Sequence, residues 1–227
     1  MISLDRLKNK IIVSVQASYG EPLYEEACIN AMLQTVVNGG ASGVRVAGSR
    51  DVKNAKKLLN VPVIGLTKPK YLPENWREVV YITPTIEDIK SLIEADADII
   101  AFDGTSRDHQ FDIKEAISLI HAANKLAMAD ISTYEEGVKC SKYGFDIIST
   151  TLSGYTKESV SNSDEPDFKL LKILTEKTKV PVFLEGRVWT PEHVSKAFDL
   201  GAFSVVIGSA ITRPHLITKR FIEKGIK

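Results

Sequence analysis

Short, continuous runs of apolar and β-branched residues recur along the whole chain, and polar segments separate them. The runs are IIVSV (11–15), GVRV (43–46), VPVIGLT (61–67), ADIIAF (97–102), KLAMA (125–129), FDIIST (145–150), VPVFL (180–184) and FSVVIG (203–208). These runs do not alternate polar with apolar positions, which is typical of strands covered on both faces. The segments between them are rich in Lys and Glu and have helical periodicity, as in 52–59, 87–95 and 168–177.

Local signals at the starts of the helical segments agree with this alternation. Ser132 with Glu135, and Thr85 with Asp88, have the spacing of capping boxes. Thr190-Pro191 places proline at the first position of another helix. The sequence therefore predicts helices that begin at these residues.

Eight strand–helix units in succession are the number that closes a barrel, whereas an open doubly wound sheet usually has five or six strands. No linker divides the chain, so we predict a single (β/α)₈ TIM-barrel domain over 1–227. A further run, VVYIT (79–83), is either a ninth strand or part of a loop. The polar segment 150–167 follows the sixth strand and is either a lid over the barrel mouth or a surface loop.

Composition narrows the classes of protein that fit. Of 227 residues, 44% are hydrophobic and 26% charged, which is typical of a globular protein. The 29 basic and 29 acidic side chains balance, so no overall field attracts nucleic acid or an acidic membrane surface. The apolar run near the N-terminus is too short for a signal peptide, and no run approaches the length of a membrane span. We expect a cytoplasmic protein without nucleic-acid or membrane partners.

The two cysteines, Cys28 and Cys140, lie in predicted helices. We expect both to be small apolar side chains in a reducing compartment. No paired cysteines or Cys/His cluster predict a structural zinc site.

Candidate chemistry lies where the predicted strands end, because catalytic groups of such barrels come from the carboxyl ends of strands. The polar residues at these ends are Gln16, Arg45, Lys68, Asp103, Asp130, Thr150, Thr151, Glu185, Gly186, Arg187, Gly208 and Ser209. In a partly apolar mouth beside Arg45, Lys68 would have a lowered pKa and could act as a general base or form a Schiff base. Glu185, Asp130 or Asp103 could orient this lysine, bind sugar hydroxyls or act as a second acid or base. No HxH or DxD cluster accompanies them, so we expect no metal.

A phosphate site is indicated after the last two strands. Gly186-Arg187 follows the seventh and Gly208-Ser209 the eighth, where barrels often bind phosphate through backbone N–H groups and a short helix. SAITRP (209–214) could supply that helix, with Arg213 as a further phosphate contact. The alternative is that Gly208 only relieves a tight turn.

Nine segments, in order along nearly the whole chain, resemble the N-acetylmannosamine-6-phosphate 2-epimerases. They are VSVQASYGEPLY (13–24), GGASGVRV (39–46), PVIGLTK (62–68), YITPT (81–85), ADIIAFDGTSR (97–107), MADISTYEEG (128–137), GFDIISTTLSGYT (144–156), EGRVWTPE (185–192) and VVIGSAITRP (205–214). TTLSGYT and GSAITRP are specific to that family rather than to barrels in general. The resemblance implies a barrel that interconverts the 6-phosphates of N-acetylmannosamine and N-acetylglucosamine in sialic-acid and amino-sugar catabolism.

The family motifs also imply site residues. In GLTKPKY (65–71), Lys68 matches the catalytic lysine and Tyr71 the tyrosine of a GIIKRDY-like motif, while Pro69 and Lys70 replace Arg-Asp. Arg45, Asp130 and Glu185 match further motif residues, and the asparagine expected near Ala47 or Gly48 is absent.

These matches lead to a set of expected roles. Lys68 is the principal acid/base and Glu185 its partner, Arg45 and Asp130 position groups or stabilise charge, and Gln16 and Thr151 contact the substrate. Metal and redox cofactors are not expected, and a homodimer is left open. Two other functions also stay open: a Schiff-base aldolase acting through Lys68, and a non-catalytic barrel that binds a sugar phosphate.

Overall fold

The computed structural model describes residues 2–226, and its centre is a closed barrel of eight parallel strands. The strands are β1 (Lys10–Val15), β2 (Gly43–Ala47), β3 (Val63–Leu66), β4 (Ile99–Asp103), β5 (Leu126–Asp130), β6 (Ile147–Ser149), β7 (Val182–Glu185) and β8 (Ser204–Ile207). Each pairs with the next along the chain, and β8 returns to β1, with Ile11 opposite Val205. Each strand overlaps one of the eight apolar runs, so the (β/α)₈ barrel is confirmed.

Helices connect the strands on the outside. They are α1 (Glu26–Asn38), α2 (Ser49–Leu58), α3 (Ile86–Glu94), α4 (Ile113–Ala122), α5 (Tyr134–Tyr143), α6 (Phe168–Lys177), α7 (Pro191–Asp199), α8 (Ser209–Thr212) and α9 (Pro214–Gly225), with 3₁₀ turns at Leu4–Leu7 and Pro22–Tyr24. No helix in residues 2–226 has the length and apolar character needed to cross a membrane.

The helix starts agree with the predicted signals except at α5. Thr85 and Asp88 form the capping box of α3, and Pro191 is the first residue of α7. In α5 the box is formed by Thr133 and Glu136, so the predicted Ser132–Glu135 pair was wrong by one residue.

Two apolar layers explain why the strands read as continuous apolar runs. Val44 and Val46 on β2 belong to the layer between strands and helices. Ile12, Ile64 and Phe183 belong to the layer inside the barrel. Both layers are buried, so the strand ends are held on a rigid scaffold.

The run at 79–83 belongs to the loop between β3 and α3 and forms no strand. Thr83 has a φ of +47°, which breaks the extended conformation that a strand needs. Its backbone N–H donates to the carbonyl of Thr67 (3.0 Å) and its hydroxyl to the carbonyl of Ala101 (2.7 Å). These isolated bonds fasten the loop to the barrel mouth.

Segment 150–167 has no helix or strand, but its first half packs into the protein. Ser153 and Thr156 are buried, and the Ser153 hydroxyl donates to the Asp167 carboxylate (2.7 Å). Residues 161–165 are exposed. The first half is thus part of the wall of the mouth, and movement of the segment as a lid stays a prediction.

Candidate active site

A cavity of about 280 Å³ opens at the carboxyl ends of the strands. We call it the first cavity. It is lined by most of the residues predicted for the site, which are Gln16, Arg45, Lys68, Thr151, Glu185, Gly186, Arg187, Gly208, Ser209 and Arg213. A second cavity of about 530 Å³ adjoins it, and Gln16, Lys68, Tyr81 and Arg213 line both.

Arg45, on β2, is the cation at the floor of the first cavity. Its side chain is only 1% exposed, and its guanidinium forms two bonds to the Asp130 carboxylate (3.0 and 2.6 Å). One of these nitrogens also bonds the Glu185 carboxylate. Burial alone would lower the pKa of Arg45, but the two carboxylates raise it above its ordinary value. Arg45 therefore keeps its charge throughout the working pH range.

Thr151 lies between the two carboxylates. Its hydroxyl donates to Asp130 (2.6 Å) and lies 3.2 Å from both the Glu185 carboxylate and the Arg45 guanidinium. Its oxygen is also 2.8 Å from the Ser149 hydroxyl. This network fixes the position of Glu185 on the cavity surface.

Asp130 lies behind Arg45 and does not line either cavity. Its side chain is fully buried. The expected contact between Asp130 and a substrate stays a prediction, since Asp130 is absent from the lining of both cavities. The two bonds to the Arg45 guanidinium make Asp130 the residue that positions Arg45.

Asp103 also does not line either cavity, although acid/base chemistry was considered for it. It is buried and ion-paired with Arg107. Arg107 in turn donates to the backbone carbonyl of Val79 (2.7 Å). This pair ties β4 to the loop that follows β3.

Glu185, at the end of β7, has properties suited to an acid/base near neutral pH. Burial raises its pKa to about 6, and Asp130 adds to the increase, while Arg45 and Lys68 oppose it. Its side chain is 13% exposed and faces the first cavity. Both protonation states of Glu185 are therefore accessible close to neutrality.

Lys68 follows β3 and stands at the border between the two cavities. Its ammonium donates to the side-chain oxygen of Gln16 (2.8 Å), and the Gln16 amide nitrogen donates to the Ser14 hydroxyl (2.8 Å). The side chain is open to the cavity solvent, yet protein atoms crowd around it. This crowding, followed by the charge of Arg45, lowers the pKa of Lys68 to about 8. This lowered pKa makes the neutral amine more accessible near neutral pH than it is for an ordinary lysine.

The two titrating groups reach the first cavity from opposite sides. β3 and β7 are four positions apart in the closed order of eight strands. Lys68 follows the first of these strands and Glu185 ends the second. The arrangement can therefore present one group to each face of a small molecule held between them.

The corner predicted for phosphate lies where β7 and β8 end. Gly186 and Arg187 have positive φ angles of +103° and +57°, so the chain turns sharply there. Gly208 precedes the short helix α8, whose first residue is Ser209. All four residues line the first cavity.

Arg187 has a second set of contacts that sequence reasoning missed. Its guanidinium donates to the backbone carbonyls of Ser153 (2.7 Å) and Glu165 (2.8 Å), so it holds segment 150–167. Gly154 makes room for it, since a Cβ at residue 154 would lie 2.4 Å from a guanidinium nitrogen.

Arg213 is ion-paired with Glu21, a contact that the sequence did not predict. Its Nε is buried without a hydrogen-bond partner among residues 2–226. Because Arg213 lines both cavities, this N–H is a donor available to a bound molecule.

Aromatic residues of the loops complete the walls. Tyr81, Tyr155 and Trp189 line the first cavity, and the strand-end rule could not find them. All three lie in segments that carry the family resemblance: Tyr81 in YITPT, Tyr155 in TTLSGYT and Trp189 in EGRVWTPE. Burial raises the pKa of Tyr81 to about 12, so its hydroxyl stays a neutral donor.

Other reactive groups lie away from the cavities. Cys140 is buried in α5, and burial raises the pKa of its thiol to about 12, so it stays protonated. In the described part of the chain, no group of three or more His, Cys, Asp or Glu residues is arranged to hold a metal ion.

Comparison with known proteins gives a consistent family. A family model described as "Putative N-acetylmannosamine-6-phosphate epimerase" matches residues 29–227. A protein named "Putative N-acetylmannosamine-6-phosphate 2-epimerase" from Clostridium perfringens is 44% identical over 222 residues, which cover 97% of this chain and 98% of that protein. A protein of the same name from Caldanaerobacter subterraneus is 45% identical over 223 residues, with 96% and 92% covered.

Solved structures agree. The N-acetylmannosamine-6-phosphate 2-epimerase from Clostridium perfringens has a TM-score of 0.92 and 43% identity, covering 98% of this chain and 96% of that one. Thiamine phosphate pyrophosphorylase from Pyrococcus furiosus has a TM-score of 0.61 at 16% identity, over 98% and 99% of the chains. The second likeness extends to the fold alone.

Proposed function

This chain belongs to the N-acetylmannosamine-6-phosphate 2-epimerase family, and we infer from its cavity that it is an isomerase acting on a sugar phosphate. It interconverts N-acetylmannosamine 6-phosphate and N-acetylglucosamine 6-phosphate. The observation that carries the mechanism is the pairing of Lys68 and Glu185 across one cavity, with pKa values near 8 and 6. The two sugars differ only in the configuration at C2.

Inversion at C2 needs an acid and a base on opposite faces of that carbon. In the open-chain sugar, the C2 proton is alpha to the C1 aldehyde and is therefore acidic. The neutral amine of Lys68 takes this proton and becomes an ammonium, while the electrons of the C–H bond pass to the C1 oxygen. Protonated Glu185 then returns a proton to the other face of C2, and the aldehyde forms again.

The two groups carry one proton between them in either direction of the reaction. Starting from one epimer, the amine and the carboxylic acid are the reactive forms. Starting from the other epimer, the reactive forms are the ammonium of Lys68 and the carboxylate of Glu185. A lysine with a pKa lowered to about 8 and a glutamate with one raised to about 6 suit this exchange near pH 7.

Arg45 supplies the fixed positive charge of the site. Once the proton leaves C2, negative charge develops on the C1 oxygen, and a buried guanidinium stabilises it without having to reorganise. The bonds from Asp130 and Thr151 hold that guanidinium and Glu185 in place. Gln16 orients Lys68 through its 2.8 Å bond and lies where a substrate hydroxyl or amide could bind.

The phosphate is assigned to the corner formed by Gly186, Arg187, Gly208 and Ser209. Backbone N–H groups at these turns, with the start of α8, suit a bound anion. Arg213, with its unpartnered Nε, is a further donor on the same cavity wall. A phosphate held here would place the carbon chain across the cavity toward Lys68.

The pathway and the compartment are inferred from the reaction itself. We expect the reaction to serve sialic-acid and amino-sugar catabolism in the cytoplasm. A homodimer also stays a prediction.

Incubation of the purified protein with N-acetylmannosamine 6-phosphate in D₂O, followed by NMR, tests the function. N-acetylglucosamine 6-phosphate should form, with deuterium at C2 because Lys68 and Glu185 exchange their protons with solvent. Cleavage of the carbon chain, with inactivation by borohydride in the presence of substrate, would instead show a Schiff-base aldolase. Binding without any conversion would show a sugar-phosphate sensor.

A further inference from the structure

The second cavity has no role in the reaction as described so far. Its volume is about 530 Å³, against about 280 Å³ for the first. The bond from Lys68 to Gln16 lies at the border, because both residues line both cavities. A sugar whose C2 lies beside Lys68 therefore has one substituent close to the second cavity.

The identity of that substituent follows from the chemistry at C2. This carbon bears the chain that leads through C3 to the phosphate, the C1 aldehyde and the acylamido nitrogen. The phosphate corner lies at β7 and β8, so the C3 chain occupies the first cavity. The aldehyde and the acylamido group remain as candidates for the second cavity.

The charges of the two cavities separate these candidates. The C1 oxygen becomes negative during the reaction and needs Arg45, which lines the first cavity but not the second. The apolar end of an acyl group carries no negative charge that Arg45 would stabilise. The aldehyde therefore belongs to the first cavity and the acyl group to the second.

The walls of the second cavity suit an acyl chain. Tyr19 packs edge-on against Tyr24 and Tyr71, with ring centroids 5.5 and 5.6 Å apart. The Lys70 ammonium lies 3.8 Å from the centroid of the Tyr19 ring, and Leu72 lines the same cavity. Aromatic rings and an aliphatic side chain give apolar contact surface.

The size of the second cavity exceeds what acetyl needs. Ala47 and Gly48, both small, line it where β2 ends. The cavity volume is about 530 Å³. The single methyl group of acetyl fills only a small part of it.

We propose that the second cavity binds the N-acyl group of the substrate and accepts acyl chains longer than acetyl. The substrate class is then the 2-acylamido-2-deoxyhexose 6-phosphates, of which the N-acetyl compound is one member. This inference rests on the proposed function, which places C2 at Lys68 and the phosphate at β7 and β8.

The test compares the 6-phosphates of N-acetyl-, N-propanoyl- and N-butanoylmannosamine on the wild-type protein. We expect kcat/KM for the two longer substrates to stay within about tenfold of the N-acetyl value. A pocket closed around acetyl would lose tenfold or more for each added methylene group. A loss of more than tenfold for both longer substrates therefore overturns the proposal.

Ala47→Ile narrows the second cavity from the end of β2. We expect the ratio of N-butanoyl to N-acetyl kcat/KM to fall at least fivefold relative to wild type. Ala17→Val, on the same cavity, serves if Ala47→Ile does not fold. Ala31→Leu, exposed on α1, is the control and should leave the ratio unchanged. A ratio that stays within fivefold of wild type in the narrowed protein places the acyl group elsewhere.

Failure of this inference can be told from failure of the proposed function. If the protein turns over the N-acetyl substrate but rejects the longer ones, only the proposal for the second cavity is contradicted. A protein that turns over none of the three substrates sinks the epimerase mechanism itself.

Discussion

Glu185→Gln tests the division of labour between the two titrating groups. The substitution keeps the size of the side chain but removes both its charge and its acid proton. Thr151 and Arg45 can still contact the amide oxygen, and Asp130 keeps Arg45 in place. We therefore expect a folded protein in which one of the two proton carriers is missing.

The expected magnitude follows from the role of Glu185 as a positioned acid. Positioned proton transfer is worth about 10²–10⁴ in rate, so the rate of epimerisation should fall by that factor. Removal of C2 protons by Lys68 should persist, because the amine, its Gln16 partner and Arg45 are unchanged. Since the charge of Glu185 raises the pKa of Lys68, losing it should move that pKa below about 8.

The pH profile of the wild-type protein provides the reference. Below pH 6 both groups are protonated and no base remains, whereas above pH 8 both are unprotonated and no acid remains. We expect a bell-shaped kcat/KM profile with limbs near 6 and 8, which are properties of the coupled pair. In Glu185→Gln the decrease above pH 8 should vanish, since no acid is left to lose its proton. The single remaining limb, due to Lys68, should rise with pH and lie below 8.

NMR in D₂O separates loss of exchange from loss of inversion. In Glu185→Gln we expect deuterium to enter C2 of the starting sugar, because Lys68 returns a solvent-derived deuteron to the same face, with little epimer formed. Glu176→Gln, exposed on α6, is the matched control and should behave as wild type.

Two results would refute this reasoning. Epimerisation by Glu185→Gln within tenfold of wild type would mean that Lys68 serves both faces of C2. A wild-type profile that rises to a plateau above pH 8 would mean that Glu185 acts as a carboxylate only and never supplies a proton.

Four further predictions follow from the same geometry. Lys68→Met should fold and bind substrate within about tenfold of wild type but turn over at least about 10³ more slowly, and near wild-type turnover would move the base to another residue. Unphosphorylated N-acetylmannosamine should be a far poorer substrate. Similar kcat/KM values for the two sugars would contradict the assignment of phosphate binding to Gly186 and Gly208. Activity should survive exhaustive EDTA treatment; loss that one divalent ion restores would contradict this. Gly154→Ala, at a φ of +89° and against Arg187, should lower stability by about 1–3 kcal/mol and speed proteolysis within 157–165, measured by thermal melting and limited digestion.

The barrel was predictable because its strands are buried on both faces. Each strand that an apolar run predicted, such as β2, has one set of side chains toward the helices and another toward the barrel interior. Because both faces of each strand are buried, nearly every position is apolar, and this continuous apolar run is recognisable in the sequence. Arg45 lies near the end of the second run, and its place among the polar residues at the strand ends marked the site.

The exceptions have local physical causes. The run at 79–83 is β-branched but lies beyond a barrel whose strands already pair on both edges, and the positive φ of Thr83 ends any extended conformation. At α5, two hydroxyl residues precede two glutamates, so spacing alone allows either pair. Glu136 becomes the partner because its buried carboxylate accepts bonds from the backbone of Ser132 and of Ser106.

Sequence position located the site residues but not their partners. Arg45, Lys68 and Glu185 share one cavity because strand ends converge. The two hydrogen bonds between the Arg45 guanidinium and the Asp130 carboxylate join residues that are 85 apart in the chain, and no local sequence pattern predicts this pairing. The same holds for Arg213 with Glu21, 192 residues apart. The position of a residue on a strand thus predicts whether its side chain reaches the barrel mouth. The ion pairs that it forms there decide whether it remains available to contact a substrate.

The pairing around Arg45 explains why Glu185, and not Asp130, is the carboxylate left to exchange protons. One guanidinium serves two carboxylates, and it gives two nitrogens to Asp130 but only one to Glu185. Asp130 also takes the stronger Thr151 bond, at 2.6 Å against 3.2 Å. Glu185 is therefore the less compensated of two close negative groups, and burial together with Asp130 raises its pKa. Burial favours the neutral form of both groups, so it lowers the pKa of Lys68 and raises that of Glu185 and thereby brings the two values closer together, while the charge of Arg45 lowers both.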